Sequence, residues 1–160
     1  MSNTLVTLPR LLFLLAFGFV VYKTFRLGGR SKPALRINSY FLDNDFTPSM
    51  VLGLQGVAMH ETGHFTSRVY RENNNPWGMK QPKNRETTST GPDKKGFAQY
   101  RNFDDALQDM ILYLNDFGYP RDLTPFQLVK MMQENGYFTD SFTNYWEGVK
   151  AGIEKLGGTP

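Results

Sequence analysis

Four helical segments surround one irregular stretch, and this order narrows the possible folds more than any other feature of the chain. Thr47-Pro48 reads as an N-cap followed by proline at the first helical position, and Thr124-Pro125 repeats the signal. Asn102 caps another segment, with Asp104 and Asp105 in the first turn, where carboxylates complement the helix dipole. Apolar residues follow at helical spacing: Phe103, Ala106, Leu107, Met110, Ile111 and Leu114 after Asn102, then Phe142, Tyr145, Trp146, Val149, Ile153 and Leu156 near the end. The spacing predicts helices over 48–72, from Asn102 onward, from Thr124 to Gly136, and over 141–156, where Gly157-Gly158 stops the last. Residues 73–101 are rich in Asn, Thr, Pro and Gly and lack that period. Gly91–Gly96 reads as a hairpin turn and Phe97–Tyr100 as its return strand. The expectation is a mainly helical α+β domain with a short β-hairpin lobe.

The N-terminus has a different character. Leu8 to Tyr22 is almost wholly apolar, with Arg10 near its start and Lys23 just after it. A bilayer core needs about 20 apolar residues, which this run reaches if the two cations snorkel to the interfaces. Residues 1–27 are therefore expected to be an N-terminal transmembrane helix, 28–46 a linker opened by Gly, Ser and Pro, and 47–160 the folded domain. A cleaved secretory signal fits the apolar run, but no small-x-small site follows near Tyr22. A buried or subunit-contacting helix is the other alternative.

The 160-residue chain has 40% hydrophobic and 21% charged residues, as a globular chain with a core does. It has no cysteine, which excludes disulfides, thiolate metal sites and a cysteine nucleophile. A formal charge of +3 suits an anionic partner such as cell wall or membrane. No long basic run marks a nucleic-acid surface. An aromatic share of 14% suits sugar rings as well as a core.

Glu61 is the residue whose position suggests chemistry. Val51, Leu54, Ala58, Phe65 and Val69 form an apolar stripe, and Glu61 falls within it. Burial among such neighbours penalises the charged carboxylate and raises its pKa, which a general acid needs near neutral pH. The flanks add a rival. His60-Glu61-Thr62-Gly63-His64 matches H-E-x-x-H, which on a helix sets two imidazoles one turn apart for zinc. The chain has 2 His, so a carboxylate would have to be the third ligand. Glu72 lies too far along the same helix to serve unless that helix breaks.

The wider motif order points to sugar chemistry. Ala58-Met59-His60-Glu61-Thr62-Gly63 precedes Asn74-Asn75-Pro76-Trp77-Gly78-Met79-Lys80, then Gly96-Phe97-Ala98-Gln99-Tyr100-Arg101-Asn102, then Gly136-Tyr137-Phe138-Thr139-Asp140. Over about 48–156 this order resembles the glucosaminidase family, glycoside hydrolase family 73, which includes bacterial autolysins. The resemblance implies a small lysozyme-like domain that cuts the β-1,4 bond after N-acetylglucosamine in peptidoglycan, with no cofactor and no metal. It places the catalytic acid at Glu61 and a late cleft tyrosine at Tyr137. It assigns the glycan-contacting segment to Asn75, Trp77 and Lys80, with Tyr100 at the strand-to-helix join. Trp77 has a second reading, as a residue packed beneath the cleft.

The lobe is where the chain departs from the family pattern. Relatives often carry a second carboxylate there. Glu86 is the best local candidate and Asp93 the next, though both are also ordinary hairpin residues. The expected partners are peptidoglycan strands and, through the N-terminal helix, a lipid membrane, making a single-pass anchored protein. Lys23, Arg26, Arg30 and Lys32 outnumber Arg10, so the positive-inside rule turns the domain to the cytoplasm, away from a wall. A phage lysis protein or a virion with an internal membrane would reconcile the two; a bacterial envelope is the other setting. A zinc peptidase and a non-catalytic wall-binding protein are the alternative functions.

Overall fold

A computed structural model describes residues 32–160. The expected anchor at 1–27 lies outside the described residues. Among those described, no helix is long and apolar enough to cross a membrane. Six helices and one two-stranded sheet follow in order: α1 (Lys32–Leu42), α2 (Pro48–Glu61), α3 (Arg68–Asn73), β1 (Gly91–Pro92), β2 (Ala98–Gln99), α4 (Phe103–Asp116), α5 (Pro125–Glu134) and α6 (Phe142–Lys155). The expected mainly helical α+β architecture with a small hairpin lobe is present.

Helix α2 forms the centre. Thr47 caps it, its hydroxyl accepting from the Met50 amide, and Met50, Val51, Leu54, Val57 and Ala58 are wholly buried. The apolar stripe expected on one face is in fact burial on all sides. α1 covers one side, α5 another and α6 a third. Glycines allow the closest approaches: a Cβ at Gly56 would come within 2.6 Å of Ile153, and one at Gly152 within 3.0 Å of the Gly56 carbonyl. Even the polar Gln55 is buried, its amide donating to the Ala34 carbonyl at 2.7 Å.

That contact corrects the expected linker at 28–46. Residues 32–42 form α1, and Ala34, Ile37 and Phe41 enter the main core. The three recur on one helical face, and burying a side chain such as Ile or Phe contributes roughly 1.5–3 kcal/mol toward ordering the helix. Arg36 extends the attachment to α4 through a bidentate pair with Asp104. The folded unit thus reaches back to Lys32.

The helix expected over 48–72 is also two helices, with a break at 62–67. The other helix starts match expectation. Asn102 and Ser141 cap α4 and α6, and Thr124 forms a reciprocal capping box with Gln127. In the lobe Gly91 pairs with Gln99 and Pro92 with Ala98, antiparallel, and Lys80 bridges to Phe97. Asp93 closes the turn, accepting from the Lys95 and Phe97 amides and from Asn73 at the end of α3.

Candidate active site

Glu61 is the last residue of α2, and the local sequence explains why the helix stops there. The Thr62 hydroxyl donates to the Ala58 carbonyl at 2.6 Å and accepts from the Phe65 amide at 2.7 Å. Gly63, His64 and Phe65 then have φ of +53°, +64° and +63°. Left-handed backbone costs roughly 1–2 kcal/mol per non-glycine residue, so His64 and Phe65 are strained. Burial of Phe65 and the bonds from the Thr66 and Ser67 amides to the Thr62 carbonyl hold them there. Such strain concentrates at functional sites. Here it reverses the chain immediately after Glu61 and leaves the carboxyl facing a cleft.

The carboxyl is held by one residue and given room by another. Tyr145 of α6 donates to Glu61 Oε1 at 2.6 Å. Its ring stacks on Phe138 at 3.7 Å, nearly parallel, and meets the His60 ring edge-on at 4.6 Å. Gly148 makes room, since a Cβ there would overlap the imidazole. On the other side Gly78 has φ +60°, and a Cβ on it would sit 3.2 Å from Glu61 Oε2. Burial raises the Glu61 pKa, and the Tyr145 hydrogen bond opposes part of that rise. Burial lowers the His60 pKa, so its ring favours the neutral form.

Glu61 opens into a cleft of about 480 Å³. Segment 78–85 forms one wall; Tyr113, Asp116 and Phe117 at the end of α4 and the turn 135–137 complete the lining. Of the expected site residues, Glu61, Lys80 and Tyr137 are brought together here. The Tyr137 hydroxyl donates to the Trp77 carbonyl at 2.6 Å. Trp77 also borders the cleft, but its side chain is 1% exposed and its indole donates to the Leu54 carbonyl, so it packs beneath the floor and cannot stack on a sugar.

Asn75, Tyr100 and Glu86 are placed differently from expectation. Asn75 is buried, its amide donating to the Met79 and Ala98 carbonyls and its oxygen accepting from the Met79 amide; it joins the loop to β2 and does not face substrate. Tyr100 is buried away from the cleft, donating to Asp109 at 2.6 Å. Glu86 is exposed and outside the lining, because Arg85, next to it, turns inward instead.

The inward turn rests on an ion pair that sequence reasoning missed. Arg85 forms a bidentate pair with Asp109 at 2.9 and 2.8 Å, with side chains 8% and 0% exposed. Burial disfavours the Asp109 carboxylate, yet bonds from Arg85 and Tyr100 outweigh it and lower the pKa. The pair fixes the cleft wall to α4. Tyr145 and Asp116 were missed as well. Tyr145 reads in sequence as one more apolar-face residue of α6, and nothing local marks Asp116, whose role arises from where α4 ends.

The zinc reading of His60, Glu61 and His64 fails on geometry. It needs α2 to continue through His64, whereas the left-handed turn swings the exposed His64 off the helix and the His60 ring is packed against Tyr145. Among the described residues no group of three His, Cys, Asp or Glu could hold a metal ion.

Comparisons with known proteins agree with the motif order. A family model for glucosaminidase, described as mannosyl-glycoprotein endo-beta-N-acetylglucosaminidase, matches residues 44–157. No curated protein matches the chain. A solved chain from a type VI secretion system effector-immunity complex from Pseudomonas protegens shares the fold. It has a TM-score of 0.59 and 19% identity, over 76% of this chain and 87% of that one.

Proposed function

The chain belongs to the glucosaminidase family, glycoside hydrolases that act on peptidoglycan, and from that premise we propose that Glu61 is its proton donor. The carboxyl is half-buried at the end of α2 and lines the cleft, and burial raises its pKa, the direction a proton donor needs. It donates to the leaving glycosidic oxygen of a β-1,4 bond that follows N-acetylglucosamine. The Tyr145 hydroxyl fixes the carboxyl's orientation and stabilises the carboxylate left after transfer. Asp116 is the other carboxylate lining the cleft, so it replaces Glu86 as the candidate to activate water or stabilise the oxocarbenium-like state. Tyr137, its hydroxyl committed to the Trp77 carbonyl, shapes the wall beside Glu61.

The observation that carries this reading is the Glu61 carboxyl, desolvated and oriented where the cleft meets the core. The Leu8–Tyr22 run supports a membrane-tethered enzyme, in a phage lysis system, a virion or a bacterial envelope. Mass analysis of fragments released from purified peptidoglycan tests the bond assignment. N-acetylglucosamine at the new reducing end is expected. N-acetylmuramic acid at that end, or released peptides alone, would overturn it. A 1,6-anhydro end would remove the need for an activated water at Asp116.

A further inference from the structure

The charge of the described residues is unevenly divided. Segment 78–97, which forms one cleft wall and the hairpin, carries five basic side chains (Lys80, Lys83, Arg85, Lys94 and Lys95) against Glu86 and Asp93. The rest of residues 32–160 carries nine basic against thirteen acidic side chains. Arg85 is neutralised by Asp109, and Asp93 is occupied by the turn and by Arg68 at 3.7 Å. That leaves Lys80 and Lys83 lining the cleft, with Lys94 and Lys95 at the hairpin tip beside them. The tip is joined to the wall: Lys80 Nζ donates to the Lys95 carbonyl at 3.0 Å and lies 3.4 Å from the centroid of the Phe97 ring. Lys80 is therefore a positioned cation. The lining also includes the carboxyl groups of Glu61 and Asp116.

The proposed cleavage chemistry accounts for the two carboxyl groups, whereas a neutral glycan gives no reason for a lysine-bearing wall. Wall glycan carries carboxylates on the peptide stems attached to alternate sugars, and a stem beside the scissile bond must leave the cleft on one side. Resting on the peptidoglycan-hydrolase reading above, we propose that Lys80 and Lys83, reinforced by Lys94 and Lys95, form a carboxylate-binding wall that directs acidic peptide stems to the lobe side. Peptide-bearing glycan is then the preferred substrate, and naked glycan the poorer one.

The test compares three soluble, uncrosslinked glycan preparations of matched length: stems intact, stems removed by an amidase with the freed lactyl carboxyls amidated, and stems retained with their carboxyls amidated. The expected kcat/KM of the full chain is about tenfold higher on the first than on the other two. That advantage should shrink as ionic strength rises from low to about 0.5 M, because exposed charges are screened. Lys80→Gln/Lys83→Gln should reduce the advantage by about fivefold. Lys83→Glu does the same without touching the Lys80 contacts. Lys130→Gln/Lys155→Gln makes the same change in net charge elsewhere and should keep the advantage. No advantage in the wild type, an equal advantage on amidated stems, an unchanged advantage in both wall variants, or its loss in the control would each overturn the proposal. Failure of the Glu61 assignment is distinguishable, since it appears as Glu61→Gln turning over all three substrates and leaves their ratio intact.

Discussion

Tyr145 donates a 2.6 Å hydrogen bond to Oε1 of Glu61 across the interface between α2 and α6. Two residues 84 positions apart in sequence are thus joined at the proposed proton donor. The bond favours the ionised carboxylate, whereas burial favours the neutral acid, and burial prevails. The tyrosine therefore limits how far the Glu61 pKa rises.

Removing that limit has a definite sign. Tyr145→Phe raises the Glu61 pKa further, so the alkaline limb of the pH–kcat/KM profile moves to higher pH. The carboxyl also loses its orienting partner, and kcat falls by about tenfold, within the range for a hydrogen bond to a charged group. A pH series on soluble glycan reads both effects. An alkaline limb that stays in place or moves to lower pH contradicts this account.

Gly78 leaves room for the other carboxylate oxygen. Gly78→Ala puts a Cβ 3.2 Å from Glu61 Oε2 at a φ of +60° that alanine resists. Activity should fall by at least about tenfold, while the stability cost stays near 1 kcal/mol. Steady-state kinetics beside urea unfolding separates the two; full activity would show that the carboxyl is free to move.

Asp109→Asn leaves the Arg85 guanidinium buried without its counter-ion, which costs about 3–5 kcal/mol. The folded pKa of Asp109 lies below its unfolded value. Its contribution is therefore present above the unfolded pKa and is lost as pH falls through the folded one. The difference in unfolding free energy between wild type and variant should be full at neutral pH and narrow in acid. A difference that is small at pH 7, or grows in acid, is the contrary result.

His64→Ala should retain near-wild-type kcat/KM, and EDTA should leave the wild-type rate unchanged. A zinc peptidase would lose activity in both experiments. Loss of rate on chelation, with recovery on adding zinc, would revive the metal reading despite the turn that carries His64 away from α2.

Features set by local rules could be read from the sequence. Capping residues at Thr47, Asn102 and Thr124 and the glycine-bounded hairpin are local chemistry, and each element stands near its expected place. Glu61 stood out because a carboxyl among apolar neighbours is costly wherever the chain goes. Features created by packing were hidden. α1 reads as linker because Gly, Ser and Pro cluster at its start, while Ala34, Ile37 and Phe41 acquire meaning only against α2. The break at Thr62 depends on one hydroxyl bonding in two directions. Trp77, Asn75 and Tyr100 look like ligand-binding residues by type, yet each spends its polar atoms on the scaffold. Tyr145 and Asp116 enter the site only when α6 and α4 have docked.

The central claim is that the Glu61 proton drives glycan cleavage. Glu61→Gln keeps the shape and the Tyr145 contact but has no acid proton to give. Its turnover of purified peptidoglycan should fall by about 10²–10⁴-fold, with the circular dichroism spectrum and melting temperature close to wild type. A folded Glu61→Gln protein that releases glycan fragments at the wild-type rate would contradict the claim.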